Sequence, residues 1–203
     1  MIRNPAVAGQ FYSESKESLI KETGKLILGS AEKKEDAIGV ISPHAGYVYS
    51  GPVAGLTLSS IKPKPIYVIM GPNHTGLGSP FSLSASDSWV TPLGNVTINK
   101  ALSEKILKNC SQISKDEFAH IQEHSIEVQL PILQTLQENF TIIPIVISLG
   151  NIEQYRKIGQ AIAKSIRELK LEKDVTIIAS SDMTHYESQN SAEEKDYRAI
   201  DAI

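Results

Sequence analysis

Three of the five histidines stand directly after short apolar runs rich in β-branched residues, where buried strands are expected to end. His44 stands in the motif SPHAGY, His74 in GPNHTG and His185 in SSDMTH. Open α/β sheets bind ligands at the carboxyl ends of their strands, so we expect the three imidazoles to converge. Imidazole is the commonest metal ligand among side chains. The pattern therefore predicts a metal site at this edge of the sheet.

Carboxylates and a further histidine accompany these motifs. Asp182 precedes His185 by three residues and could orient its ring by accepting the second N–H, or instead complete a two-histidine, one-carboxylate iron site. His124 and Glu127 lie three residues apart at the predicted start of a helix and are expected to share one face. Pro131 crowds the carbonyl four residues back and predicts a kink that turns this face toward the cleft. The alternative is an exposed helix start with both side chains solvated.

Residues 120–124 spell H-x-x-E-H, the inverted zinc-peptidase arrangement. A zinc metallopeptidase built on His120 and His124 needs both rings on one helical face and a distant third ligand. It would leave the strand-end histidines without a role, so it stands as a third alternative. The sequence contains neither the G-x-S-x-G elbow of a serine hydrolase nor a nucleotide-binding glycine loop.

The predicted strands that position these histidines are apolar throughout. Residues 37–41, 66–70 and 175–179 show continuous rather than alternating apolarity, which is typical of parallel strands covered by helices on both faces. A fourth run, 140–147, contains Pro144, which predicts an edge strand or a bulge. Polar alternation between residues 81 and 98 predicts a strand–turn–strand excursion.

Helices are predicted between these strands. Asn151 and Gln154 form a capping pair before an apolar stripe that runs to residue 168. Pro52 favours a helix over 50–61. Asn99 is predicted to cap a helix whose stripe ends at Cys110, which places this cysteine in the core. The alternation indicates an α/β fold, a three-layer α/β/α sandwich with a mainly parallel mixed sheet.

The composition indicates a soluble globular protein. The 203 residues carry 20 Lys+Arg against 23 Asp+Glu, a net charge of −3, so nucleic acid is not expected as a partner. The single cysteine excludes an intrachain disulfide and a Cys-rich metal cluster, and a cytoplasmic location is expected. The amino terminus lacks a signal core and the apolar runs are too short to span a bilayer, so no membrane association is expected.

Five ordered motifs cover nearly the whole chain. They are NPAVAGQFY from residue 4, PHAGYVYSG from 43, GPNH from 71, EHSIEVQLP from 123 and SSDMTH from 180. Together they resemble the Memo family, also called AmmeMemoRadiSam system protein B. The resemblance implies the fold of the LigB-type class III extradiol dioxygenases, built around a mononuclear iron or copper pocket.

The resemblance also implies roles for individual residues. His44 and His74 match the metal ligands, and His185 matches the histidine that serves the dioxygenases as acid or base. His124, Asp182 and Tyr49 match other positions of the pocket. The histidine cluster expected from the strand ends thus coincides with the pocket of the family.

The carboxyl end departs from the family. Family members continue into a segment with a Cys-Gly motif whose cysteine completes the metal site, whereas this sequence stops at Ile203 in an amphipathic helix without a glycine cap. Cys110 cannot replace that cysteine, because it lies on the predicted core stripe. We therefore expect residues 1–203 to form a single Memo-like domain that lacks its carboxyl-terminal segment, with the third protein ligand unassigned.

Two functional hypotheses follow from the resemblance. The first is a metal-dependent, dioxygenase-like oxidoreductase in which His185 moves a proton. The second is a non-enzymatic protein that binds a phosphorylated or anionic ligand in the same pocket, as described for Memo adaptors in animals. The alternative family name implies an AMMECR1-like protein and a radical-SAM protein as pathway partners. The substrate stays unidentified.

Overall fold

The computed structural model describes residues 1–29 and 33–203. The strands are β1 (Ile2–Arg3), β2 (Gly39–Ser42), β3 (Ile66–Pro72), β4 (Phe81–Leu83), β5 (Ser88–Thr91), β6 (Gly94–Ile98), β7 (Ser114–Lys115), β8 (Thr141–Ile147) and β9 (Val175–Ser180). The helices are α1 (Lys16–Leu26), α2 (Tyr47–Ser59), α3 (Lys100–Asn109), α4 (Gln129–Leu136), α5 (Ile152–Glu168) and α6 (Gln189–Ile200).

Within the described residues the strands form one mixed sheet in the order β1-β5-β6-β8-β3-β9-β2, with β4 paired to β8 and β7 to β4. Pairing is parallel except between β5 and β6 and between β4 and β8. The strand–turn–strand segment predicted between residues 81 and 98 consists of β4 and the β5–β6 hairpin. The mainly parallel mixed sheet is therefore confirmed.

The sheet separates two apolar cores. Strand β3 contributes side chains to both, because successive side chains of a strand point to opposite faces. Tyr67 and Ile69 pack in the core that α1, α2 and α4 cover. Ile66 and Val68 pack in the core that α3 and α5 cover. Helices on both faces of one sheet make the three-layer α/β/α sandwich that continuous apolarity predicts. The prediction of a buried strand at residues 37–41 was wrong, because β2 is an edge strand in which Gly39 and Ile41 are exposed.

Local signals place several helices correctly. Asn151 and Gln154 form a complete capping box at the start of α5. Asn99 caps α3, and Cys110 at its end is buried in the core. Helix α2 begins at Tyr47, three residues before the predicted start. Pro52 is accommodated inside it on the exposed side, where water can reach the carbonyl that lacks an N–H partner.

Of the two alternatives predicted from Pro144, an edge strand or a bulge, the edge position was wrong, and the register with β3 runs through Pro144 without interruption. β8 lies inside the sheet, with β3 on one side. On the other side its partner changes from β6, which ends opposite Ile142, to the antiparallel β4, which ends opposite Ile145. The carbonyl of Pro144 accepts from Ser84 on this side, so the missing N–H of Pro144 points at the junction between the two partners. Pro144 is therefore accommodated where β8 changes its partner strand from β6 to β4, and not at a free edge of the sheet.

The predicted helix start around His124 was also wrong. Residues 117–128 form turns and bends, and α4 begins only at Gln129. The ring of Pro131 would crowd the carbonyl of Glu127 in a longer helix, whereas at the third helical position its missing N–H removes no helical bond. His124 and Glu127 therefore do not share a helical face, and Pro131 sets the helix start instead of a kink.

The carboxyl-terminal helix α6 packs loosely. None of its residues is buried, and Ile200 and Ile203 line a shallow apolar groove with side chains of β2 and β9. Across the described ranges, the helices fall short of the combination of length and apolarity that crossing a membrane requires.

Candidate metal centre

Three imidazoles converge at the carboxyl edge of the sheet. His44 follows β2, His74 follows β3, and His124 lies in the turns that precede α4. The centroid of the His44 ring lies 5.2 Å from that of the His74 ring and 5.8 Å from that of the His124 ring. The rings of His74 and His124 are 4.5 Å apart and nearly parallel. One nitrogen from each ring lies within 4.8 Å of the others, so the three could hold one metal ion.

The dimensions suit a mononuclear centre after a small adjustment. Metal–imidazole bonds are about 2.0–2.1 Å, which puts two ligands of a tetrahedral ion about 3.4 Å apart. The nitrogens lie within 4.8 Å of one another, so the rings would have to move closer together to bind one ion. The side chain of His44 is only 3% exposed, whereas that of His74 is 41% exposed. The centre therefore opens to solvent on the side of His74.

The partners of His44 fix its protonation. Its Nδ1 lies 2.9 Å from Oγ of Ser180. That hydroxyl already donates to the carbonyl of Ser125 at 2.6 Å, and Gln129 donates to it at 3.0 Å. Because the hydroxyl proton is engaged elsewhere, Ser180 accepts from His44 and the proton lies on Nδ1. Nε2 then carries the free lone pair that a metal needs.

The carboxylate of Glu123 organises the other two histidines. This side chain is 1% exposed and accepts from Nδ1 of His74 at 2.9 Å and from its backbone N–H at 2.6 Å. The backbone N–H groups of His124 and Ser125 donate to it at 2.8 Å each. A carboxylate can only accept, so His74 also carries its proton on Nδ1 and presents Nε2. A buried carboxylate in this role is the usual outer partner of a metal-binding imidazole.

Close backbone approach brings the two segments together. A Cβ atom at Gly71 would lie 2.5 Å from Oγ of Ser125, so only glycine fits at the end of β3. Ser125 also donates to the carbonyl of Pro72 at 2.9 Å. On its other side, the His124 ring contacts Phe11, with centroids 4.6 Å apart. These contacts fix His124 beside His74.

Asp182 lies between His44 and His185. It accepts from the backbone N–H of His44 and, at 3.0 Å, from that of Ala45. Its second oxygen is 3.8 Å from Nε2 of His44 and 3.6 Å from Nε2 of His185. Nδ1 of His185 donates to the carbonyl of Met183 at 2.9 Å, which leaves Nε2 facing Asp182. Met183 holds a left-handed backbone, with φ of 61°, in this loop.

Burial favours the neutral form of two of the imidazoles, His44 and His124. It lowers the pKa of His44 to about 4, although the Asp182 charge opposes the shift. It also lowers the pKa of His124, against the opposing charge of Glu123. Burial alone would raise the pKa of Glu123, but hydrogen bonds from His74 and Ser125 lower it overall. Neutral imidazoles beside an ionised carboxylate are the protonation states that metal binding requires.

The prediction that His185 converges with His44 and His74 is not met, because the third clustered ring is that of His124. Tyr49 and His120 also lie outside the three-imidazole cluster. Tyr49 is 83% exposed and lines a groove with Phe11, which itself contacts His124. His120 is fully buried, edge-on to Trp89, with Nε2 3.1 Å from the carbonyl of Ser82. Since residues 120–124 are not helical, His120 and His124 lack the common face that a zinc peptidase needs.

Sequence reasoning did not assign roles to three residues that shape the centre: Glu123, Ser180 and Phe11. Glu123 stood in the sequence only as a member of H-x-x-E-H and of the EHSIEVQLP motif. Its position next to His124 was a usable signal, because a ligand histidine needs a carboxylate or carbonyl partner. Ser180 and Phe11 carry no such local signal, since their contacts join distant parts of the chain.

Comparison with known proteins gives the family. The family model described as "Memo-like protein" matches residues 3–203. The chain belongs to the Memo-like family.

Curated relatives agree with this assignment. The Memo-like chain is 40% identical to a MEMO1 family protein of Thermotoga neapolitana, an alignment that covers 100% of the chain and 77% of the relative. It is 43% identical to a MEMO1 family protein of Methanococcoides burtonii, covering 100% of the chain and 75% of the relative. A MEMO1 family protein of Pyrobaculum aerophilum is 38% identical, with 100% and 75% covered.

Proposed function

We propose that this protein holds one iron or copper ion at His44, His74 and His124 and uses it in a dioxygenase-like redox reaction on an organic substrate. The observation that carries the proposal is the convergence of three imidazoles with one nitrogen each within 4.8 Å of the others, two of them with Nδ1 bound to buried acceptors. Such an ion, when bound, supplies a redox centre for oxygen chemistry.

Four residues around the centre have separate roles in this proposal. Glu123 keeps the His74 ring in one tautomer and one orientation. Asp182 anchors the backbone of His44 and faces Nε2 of His185. His185 is 49% exposed at the rim and can exchange a proton with a ligand at Nε2. Phe11 excludes water from one side of His124.

The anion-binding alternative is less well supported by the charges. An anion would be held best by cationic imidazoles, but burial lowers the pKa of His44 and of His124. The carboxylates of Glu123 and Asp182 also lie within hydrogen-bonding or ion-pair range of the rings. Both features favour a cation in the pocket.

Metal analysis of native protein, purified without a chelating tag, tests the proposal. We expect about one iron or copper ion per chain, lost in the His44→Ala/His74→Ala double variant. His185→Ala is the matched control: it should keep the metal and lose metal-dependent oxygen uptake. A metal-free wild type that binds a phosphotyrosine peptide would favour the adaptor hypothesis, and zinc that disappears in His120→Ala would favour the peptidase.

A further inference from the structure

A buried arginine from the first strand clamps the turns that carry Glu123 and His124. The Arg3 side chain is 2% exposed. Its Nε donates to the carbonyl of His120 at 2.8 Å and one terminal nitrogen to the carbonyl of Glu123 at 2.6 Å. The other terminal nitrogen donates to the carboxylate of Glu127 at 2.7 Å. One guanidinium therefore joins three points of the same irregular segment.

The position of this guanidinium is itself fixed. Its carbon lies 4.1 Å from the centre of the Trp89 ring, a stacked cation–π contact. β1 pairs with β5 so that Arg3 lies opposite Trp89. The planar five-donor fork of arginine matches three acceptors at once, which a lysine ammonium cannot do in this geometry.

Glu127 ties the same segment to the rest of the amino terminus. Its carboxylate is fully buried and accepts from the backbone N–H of Ala6 at 2.8 Å and of Val7 at 3.1 Å. The hydroxyl of Tyr12 donates to it at 2.6 Å. Together with Arg3, these bonds join residues 3–12 and 117–128 into one buried polar network.

The segment needs such a clamp because it has no regular structure. Residues 117–128 lie outside every helix and strand, so no ladder of backbone bonds sets their position. The Glu123 carbonyl is held by Arg3, and the Glu123 carboxylate holds His74 and the backbone of His124. A shift of the Glu123 backbone would therefore move two of the three imidazoles.

We propose that Arg3 is a positioning residue of the metal centre, acting through Glu123 on His74 and His124. The inference rests on the proposed function. Loss of an outer partner of a metal ligand typically weakens metal affinity 10–100-fold. We expect a loss of about 10-fold for Arg3, the lower end of that range, because its effect passes through Glu123.

The test compares Arg3→Met and Arg3→Lys with Leu102→Ala. Leu102 is fully buried in the core on the opposite face of the sheet, so its truncation lowers stability without touching the clamp. Co²⁺ affinity is measured by absorption titration. In the metal-free proteins, ¹⁵N spectra of labelled histidine report which nitrogen of His74 carries the proton.

We expect both Arg3 variants to bind Co²⁺ about 10-fold more weakly, with loss of the single Nδ1–H tautomer of His74, while Leu102→Ala keeps both properties. Arg3→Lys should not restore the affinity, and in a third variant, Arg3→Ala, millimolar methylguanidinium should restore part of it. Equal losses in Leu102→Ala, or unchanged affinity and tautomer in Arg3→Met, would overturn the inference.

The two proposals can fail separately. If wild type binds no Co²⁺, the proposed function fails, and the ¹⁵N spectra still decide whether Arg3 positions His74. If wild type binds Co²⁺ and the Arg3 variants bind it equally well, only the role of Arg3 is refuted.

Discussion

Replacing Glu123 by glutamine keeps the size of the side chain and removes its charge. One carboxylate oxygen accepts from Nδ1 of His74 and from the backbone N–H groups of His124 and Ser125; the other accepts from the backbone N–H of His74. A glutamine amide offers one acceptor and one donor. In either orientation its NH₂ group faces at least one buried N–H, so at least one donor loses its acceptor.

The expected cost follows from these bonds. A buried donor left without a partner costs about 1–3 kcal/mol, and each bond that loses its charged partner weakens by roughly 1 kcal/mol. We therefore expect Glu123→Gln, with one unpaired donor and three weakened bonds, to lower the free energy of unfolding by about 4–6 kcal/mol. Because the His74 ring also loses its fixed tautomer, we expect metal affinity to fall about 10–100-fold.

Urea unfolding of the metal-free protein at several pH values measures the first effect, and metal titration the second. The pKa of Glu123 is lowered in the folded protein, so its ionised form stabilises the fold above the unfolded pKa of about 4.3. That stabilisation disappears as the pH falls through the folded pKa. Glu123→Gln should lack this part of the acid sensitivity. Glu138→Gln, at an exposed position, is the control.

Two results would refute the reasoning. Unfolding free energy equal to that of Glu138→Gln would mean that the four bonds contribute little. Reduced stability with unchanged metal affinity would mean that Glu123 supports the fold but does not orient the ligands.

Two further predictions concern other positions. Gly71→Ala should lower metal affinity and destabilise the fold by about 1–3 kcal/mol, because its Cβ would lie 2.5 Å from Oγ of Ser125. Gly159→Ala is the control: it has open space around it in α5 and should stabilise the fold by about 0.5–1 kcal/mol. Urea unfolding measures both changes in stability. Burial lowers the pKa of His120 to about 4, so the unfolded chain takes up a proton first as the pH falls below about 6.5. His120→Phe should therefore remove up to about 1.4 kcal/mol per pH unit from the acid-induced loss of stability between about pH 6.5 and pH 4.

The elements that were correct from the sequence depend on local signals. The capping box of α5 and the Asn99 cap of α3 involve residues three positions apart, so the signal and the structure lie in the same short segment. Continuous apolarity in β3 and β9 reports burial on both faces. The two prolines were misread because Pro144 and Pro131 depend on their surroundings: a change of strand neighbour for one, the start of a helix for the other.

The residues of the candidate site also differ in how well the sequence predicts their positions. His44 and His74 could be placed at one edge of the sheet, because parallel strands bring their carboxyl ends together whatever the rest of the fold does. His124 arrives on an irregular segment held by contacts to residues about 50 and 120 positions away, which no local pattern encodes.

The amino-acid sequence by itself determined the α/β architecture, the core helices and the two histidines that follow parallel strands, since periodicity and capping act over a few residues. Only the tertiary structure decided that His124 lies close enough to be a third ligand, that Glu123 binds the His74 ring and the His124 backbone, and that His120 lies against Trp89 instead. The physical reason is that a buried polar group takes its partner from whichever segment packs beside it, and packing is a property of the whole fold.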